Sequence, residues 1–337
     1  MRQPARSCGR VHRQDADGGA GPTGSGRCRA SAARRCRRAR QRRPARNRPP
    51  ARASIRWGVP FFSFRIRGGS PDDRFSAMDS ATAARLSEIN RDFYRQVAAE
   101  FSRSRSLLNP GILRSFRGVR PGSLLDAGCG DGRVGLAWAA GQLDAPFDSG
   151  ASYVGLDQSA DLLVARQPWP QGLRPLQGDL LDSDAWPADR FAMVCCFATL
   201  HHIPDRQARV GLLREIAGHL QPGGPGRPGE SCEPGESSSH WVVSVWQIMH
   251  LERFRQRIVS WEEAGVDPDS VGAGDLLLDW RRGERALRYV HQYELDELRA
   301  DCAEAGLVVS EDWRSDGEGG DLGLYVSGEG PKHGDTC

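Results

Sequence analysis

The sequence predicts a doubly wound α/β domain over residues 78–337, and three observations carry that prediction. Short apolar runs of strand length alternate with amphipathic stretches of helix length. A glycine-rich turn joins the first of those runs to the next helix. The spacing leaves room for right-handed crossovers, so the strands should run parallel with helices on both faces.

Residues 82–104 read as an N-terminal helix, with Leu86, Ile89, Phe93, Val97 and Phe101 recurring at three- and four-residue spacing. Pro110 and Pro121 interrupt the chain between this helix and the first strand. "SLLDAGCGDGRVGLAWAAG" is strand, glycine turn and helix, and "SYVGLDQSADLLVAR" repeats strand, acid and helix, with Ser159 placed as N-cap. "LRPLQGDLLD" is a short strand and turn, "RFAMVCCFATLHHI" a buried strand running into a loop. "QARVGLLREIAGHLQPGG" is an amphipathic helix with a Pro-Gly-Gly stop, and "WVVSVWQ" another buried strand. A polar, Arg-rich segment (248–292), a helix over 293–305, and strands near 306–313 and 322–327 complete the domain.

Two segments fall outside this pattern. Residues 225–240, rich in Gly, Pro, Ser and Glu, read as a disordered loop where a short turn would suffice. Residues 1–77 carry a net charge of +16, against −13 for residues 78–337. Their Arg-rich, acid-poor composition cannot bury enough surface to offset the entropy of ordering, so this arm should be disordered. Its composition fits a nucleic-acid arm, a transit peptide, or residues upstream of a start at Met78, where the sequence reads as a natural beginning. The cysteines show no metal-ligand spacing and no disulfide ladder, which reads as a reduced, cytoplasmic chain with no metal site. No apolar run approaches the ~20 residues that a membrane span requires.

The glycine turn is Asp126-Ala127-Gly128-Cys129-Gly130-Asp131-Gly132-Arg133. Glycines there admit a ligand close to the backbone. Arg133 occupies the position where a dinucleotide fingerprint wants Gly or Ala, and Asp126 at the strand end would repel a pyrophosphate but favour a cation. Asp157 ends the next strand, where a carboxylate can accept from both hydroxyls of a ribose. Asp179 ends the third, where it can accept from an adenine amino group while Leu180 packs on the ring. Phe197 and Ala198 end the fourth.

As a set, these residues resemble the class I S-adenosylmethionine-dependent methyltransferases (methyltransferase type 11 domain) over residues 120–327. The resemblance implies a Rossmann-like, seven-stranded sheet, S-adenosyl-L-methionine as cofactor, and Asp126, Gly128, Gly130, Asp157, Asp179, Leu180, Phe197 and Ala198 around it. The flanks "NRDFYRQVAAEFSRSRSLLNPGI", "ATLHHIPDRQARVGLLREIAGHLQPGG" and "GDLLLDWRRGERALRYVHQYELDELRADCAEAGL" look like the eukaryotic-type tRNA wobble-uridine methyltransferases, which esterify 5-carboxymethyluridine. That family's Phe-Ser-x-x-Arg matches Phe101, Ser102 and Arg105, and its double His matches His201 and His202. Its Arg-Tyr-Tyr-His matches Arg288-Tyr289-Val290-His291, with Val290 in place of the second Tyr. Gln247 comes directly after Trp246, and Leu108-Asn109 precede Pro110 where the family has Trp.

The resemblance implies that Arg288 or Arg105 clamps the acceptor carboxylate, that Tyr289 or His291 orients it, and that His201 or His202 lines its pocket. Arginine suits the first task because its planar fork grips a carboxylate through two hydrogen bonds. tRNA and a small activator protein are the implied partners. Aromatic and Arg residues around 253–288 suit an unpaired base and its backbone, whereas the acidic body does not suit unaided phosphate binding. Two alternatives remain: a methyltransferase for a small carboxylate, phenol or quinone-like metabolite, and a non-catalytic, cofactor-binding adaptor.

Overall fold

The structure is a computed structural model that describes residues 78–103, 107–223, 238–280 and 285–330. The arm at 1–77, Arg105, Arg281, Arg282 and most of the insert expected at 225–240 lie outside the described residues. No described helix is long and apolar enough to cross a membrane.

The apolar runs become the central sheet. Its strands are β1 (Ser123–Ala127), β2 (Ser152–Asp157), β3 (Leu173–Gln177), β4 (Met193–Phe197), β5 (His240–Trp246), β8 (Glu311–Ser315) and β9 (Gly323–Glu329). Their order is β3-β2-β1-β4-β5-β9-β8, with β9 antiparallel to both neighbours and the other pairs parallel. Successive side chains on a strand face opposite ways. Thus Leu125, Val194, Cys196 and Val243 enter one core with Val210, Leu213 and Ile216 of α5 (Arg206–Gly218). Leu124, Met193, Cys195 and Val242 enter the other with Val134 and Trp138 of α3 (Arg133–Ala139). The neighbours Cys195 and Cys196 therefore sit on opposite faces as free thiols.

The strand order reverses between β2-β1 and β4-β5, so a crevice opens at the carboxyl ends of β1 and β4. Short helices flank it: α2 (Pro110–Ser115) and α4 (Ala160–Val164), the latter capped by Ser159, whose Oγ accepts from the Leu162 N–H. The N-terminal helix, α1 (Ser80–Arg103), crosses above.

The segment expected only as polar and Arg-rich contains a hairpin. After α6 (Glu252–Arg255), strands β6 (Asp275–Trp280) and β7 (Ala286–His291) pair antiparallel, with Leu277 opposite Tyr289 and Leu278 opposite Arg288. Charged residues at the strand ends hide the alternation that would have marked this hairpin. α1 runs along the edge of β7 and touches both faces: Leu86 and Ile89 pack with Leu277 and Tyr289, Phe93 and Val97 with Ala286, and Asn90 bonds the Tyr289 backbone. The strand expected near 306–313 begins later, at Glu311, because Leu307 reaches the core from the loop after α7 (Leu295–Glu304).

A buried ionic cluster joins the hairpin to α7. His291 bonds through Nδ1 to Asp275 (2.8 Å) and through Nε2 to Glu297 (2.8 Å), while the Tyr289 hydroxyl donates to Asp275 (2.6 Å). Burial disfavours charge on His291 and Arg209 beside it adds repulsion, but the two carboxylate bonds outweigh both and its pKa is raised. Burial likewise pushes Asp275 and Glu297 up, and their bonds to His291 leave both below the usual range. The cluster therefore stabilises most between about pH 4.5 and 6.5, where the unfolded chain also holds charged Asp, Glu and His. That contribution fades as pH rises through the raised His291 pKa, and as pH falls through the lowered carboxylate values. His291→Gln should cost about 2 kcal/mol near pH 6 and clearly less near pH 9. Thermal melts across that range check this, and a pH-independent loss would mean His291 is neutral.

Candidate active site

The crevice holds a cavity of about 670 Å3, lined from below by residues that end β1, β2, β3 and β4 and from above by α1. That volume falls in the range of cofactor and drug-sized ligand sites.

The floor is the glycine turn. Gly128, Gly130 and Gly132 have φ of 80°, 58° and 70°, a left-handed region that L side chains resist. A Cβ on Gly128 would also lie 2.2 Å from the Thr199 hydroxyl oxygen. The N–H groups of Gly128 and Cys129 donate to the Leu156 carbonyl of β2 at 2.8 and 3.1 Å. Asp157 accepts from the Gly130 N–H (2.8 Å) and the Ser159 N–H (2.9 Å), so the end of β2 shapes the turn. Ala198, at the end of β4, holds a φ of 52° and donates its N–H to Ser244. A non-glycine residue held there stores strain beside the cavity.

The cofactor-side expectations converge: Asp126, Gly128, Gly130, Asp157, Asp179, Leu180, Phe197 and Ala198 all line this cavity. Asp126 is nearly inaccessible and accepts from the Tyr153 hydroxyl (2.8 Å) and the Cys195 thiol (3.4 Å). Burial pushes its pKa from 3.8 to about 6 against those bonds, and burial raises Asp157 as well. Cys129, also in the wall, has a thiol pKa pushed far up by burial and then by Asp157, Asp126 and Asp131. A cradle without Cβ atoms, floored by buried carboxylates short of positive charge, fits a ligand that brings a cation to them.

The acceptor-side expectations separate. His202 lines the cavity, whereas His201 is fully buried against Trp246, whose N–H donates to its Nδ1 at 3.4 Å. The Tyr289 carbonyl contacts His202 Nδ1 at 3.1 Å and can only accept, so Nδ1 carries the proton. In the neutral ring, His202 Nε2 then accepts from the Tyr94 hydroxyl at 3.0 Å.

Arg288, Tyr289 and His291 do not line the cavity. Tyr289 and His291 belong to the ionic cluster beneath the hairpin. Arg288 is 4% exposed, its guanidinium 4.4 Å from the Trp246 ring centre and 4.7 Å from that of Phe93, and it reaches the site through a hydrogen bond with Tyr94. Burial holds its pKa below the ordinary value, with the Tyr94 bond opposing. The rings of Phe93, Trp246 and Trp280 enclose the guanidinium outside the cavity lining. Direct clamping by Arg288 therefore gives way to support through Tyr94.

Among the residues missed from sequence are those α1 lends to the wall: Ser87, Asn90, Arg91, Tyr94 and Arg95. They form the polar edge of a helix whose apolar face was readable, and only knowledge of what lies beneath that edge distinguishes it from a solvated one. Asn90 is spent on structure, donating to the carbonyls of His202 (2.9 Å) and Tyr289 (3.2 Å) and accepting from the Tyr289 N–H (2.9 Å).

The raised Asp126 pKa has a measurable cost. Above about pH 6 the folded protein holds a buried charge that the unfolded chain holds in water, a penalty of about 3 kcal/mol that vanishes as pH falls towards 4. Asp126→Asn should therefore raise the melting temperature at pH 7.5 and lose that advantage near pH 4. An equal effect at both values would show that Asp126 is not charged in the folded protein.

Residues 124–224, which run from the glycine turn through α5, match the family described as a methyltransferase domain. No curated protein matches the chain in sequence. Among solved structures, a S-adenosylmethionine-dependent methyltransferase from Methanosarcina mazei is 16% identical, with 67% of this chain and 99% of that chain covered and a TM-score of 0.45. A chain of the complex between the Haloferax volcanii Trm112 methyltransferase activator and its methyltransferase is 17% identical, with 72% and 98% covered and a TM-score of 0.49. The 1,6-didemethyltoxoflavin-N1-methyltransferase of Burkholderia thailandensis is 16% identical, with 74% and 89% covered and a TM-score of 0.47. The seven-stranded, mostly parallel sheet is Rossmann-like, and the segment that floors the cavity is the one that matches a methyltransferase domain.

Proposed function

We propose that this enzyme methylates an anionic oxygen, the carboxylate of 5-carboxymethyluridine at the wobble position of cytoplasmic tRNA, giving the methyl ester. The observation that carries the reading is the wall supplied by α1. It brings Arg91 and Arg95 to the cavity and no carboxylate. Arg91 has no ion pair among the described residues, and Arg95 pairs only with exposed Asp92. Such an exposed pair is worth little and yields readily to a ligand.

When bound, S-adenosylmethionine supplies an electrophilic methyl group on a sulfonium. Asp157 would hold the ribose hydroxyls, Asp179 the adenine amino group with Leu180 against the ring, and Asp126 the cationic end. Gly128 and Gly130 keep the floor open, and Phe197 and Ala198 close it towards the acceptor. A carboxylate is nucleophilic at neutral pH, so the acceptor side needs alignment rather than a base. Arg91 and Arg95 draw the anion in. Tyr94 and His202 form its wall, held by Arg288 and by the Tyr289 carbonyl. Arg105, just beyond α1, stays in the proposal as a further clamp. His201, Tyr289 and His291 support this wall from behind. The small activator protein implied by the sequence resemblance belongs to the same proposal. A second reading, a small carboxylate, phenol or quinone-like metabolite, draws on the net charge of −13 over residues 78–337, which opposes RNA.

Radiolabelled methyl transfer separates the two readings. Label should enter bulk tRNA and leave it in mild base, as an ester does; label confined to a small-molecule extract would overturn the tRNA assignment. Arg91→Ala with Arg95→Ala should raise KM for tRNA about tenfold and leave S-adenosylhomocysteine affinity unchanged. The cofactor half is tested by calorimetry. Affinity for S-adenosylhomocysteine should fall about tenfold from pH 7 to pH 5 as Asp126 takes up its proton, and Asp126→Asn should flatten that slope. A slope that survives the substitution would place the cationic end elsewhere.

A further inference from the structure

Asp131 sits between Gly130 and Gly132 in the floor of the cavity and is 3% exposed. Its Oδ2 accepts from the Ser102 hydroxyl (2.8 Å) and from Arg166 Nε (2.6 Å), and Arg166 Nη2 donates to the Ser102 carbonyl (3.1 Å). Three segments meet in this closed triangle: the glycine turn, the last turn of α1, and the chain leaving α4. Neither Ser102 nor Arg166 lines the cavity itself. Of the three carboxylates gathered around the turn, Asp126, Asp131 and Asp157, only Asp131 has an ion pair among the described residues.

The position of the triangle gives it a role. The first half of α1 is anchored on the hairpin by Leu86, Ile89 and Phe93. Its last turn is anchored on the glycine turn by Ser102. Val97 extends that first anchor, so the wall residues Arg91, Tyr94 and Arg95 lie within the hairpin-anchored stretch, on the same helix as Ser102 and ahead of it. A ligand that settles on the glycine turn fixes Asp131, and Asp131 fixes the far end of the helix that forms the acceptor wall.

We propose that Ser102 and Arg166 are positioning residues that carry cofactor occupancy from the glycine turn to α1, so that the helix bearing the acceptor wall becomes firmer at its far end once cofactor is bound. Cofactor then binds first and acceptor second. The ordering cost of α1 is met by the first ligand and spared to the second, which is positive coupling without a new contact between the two. The inference rests on the methyl-transfer reaction and not on which acceptor is used.

Hydrogen exchange on the full chain tests it with no acceptor present. With saturating S-adenosylhomocysteine, amides of residues 94–103 should exchange at least about threefold more slowly than in the free protein. In Ser102→Ala and in Arg166→Gln, S-adenosylhomocysteine should still bind within about threefold of the parent affinity, while the α1 amides no longer respond. Ser102→Thr, which keeps the hydroxyl, should restore the response. A parent whose α1 amides ignore the ligand would overturn the proposal. So would a response that persists in both variants, or a loss of ligand binding in both, which would make the pair part of the cofactor grip instead.

Discussion

The site depends on the chain turning away from β1 within a few residues and without side chains in the way. Gly128, Gly130 and Gly132 take left-handed backbone, and Gly128 has no room even for a methyl group beside Thr199. That turn gives the floor its shape and lets β2 reach it through Asp157 and Leu156. It also leaves Asp126 and Asp131 buried at its two ends with different partners. Asp126 is held by a phenol and a thiol, and Asp131 by a guanidinium and a hydroxyl. One end is short of positive charge and the other is supplied with it.

Above this floor the molecule is built on another logic. The sheet is held by side chains that alternate between two apolar cores, whereas the cap of α1 and the hairpin relies on buried polar bonds. Asn90 is saturated by backbone groups, His202 bridges Tyr94 to a carbonyl, and His291 ties two carboxylates. Arg288 is the extreme case, a buried cation caged by aromatic rings with Nε and Nη1 unbonded. Interactions of this kind give a unique geometry more than they give stability, because buried charges lose hydration.

The contrast explains what could be read from the chain alone. The strands, the turn and the acids at the strand ends were legible because each depends on local pattern: an apolar run, a glycine spacing, a carboxylate where a parallel strand stops. The part of the cavity lined by the strand ends came directly from them. The part lined by α1 did not, because its residues are brought together by the packing of α1 on a hairpin over a hundred residues away in the chain. Arg288, Tyr289 and His291 were identifiable as important residues, but their facing was not. In a hairpin, side-chain direction is set by register, and the Arg-rich ends of β6 and β7 concealed it. The two histidines divide for a similar reason, His202 reaching the cavity and His201 turning to Trp246.

Cys129 shows what burial among acids does beyond shaping a floor. A sulfonium is an alkylating agent, and a thiolate is the side chain most readily alkylated. Cys129 stands in the wall of the cavity that the proposed reaction gives to such an electrophile, and Cys195 donates to Asp126 behind it. Burial and the surrounding carboxylates keep these two thiols and that of Cys196 protonated, because ionisation would place another negative charge beside Asp126. In the proposed reaction the acids that favour a cationic ligand would thus also suppress its side reaction with the protein, so that a methyl donor can rest next to sulfur without being consumed.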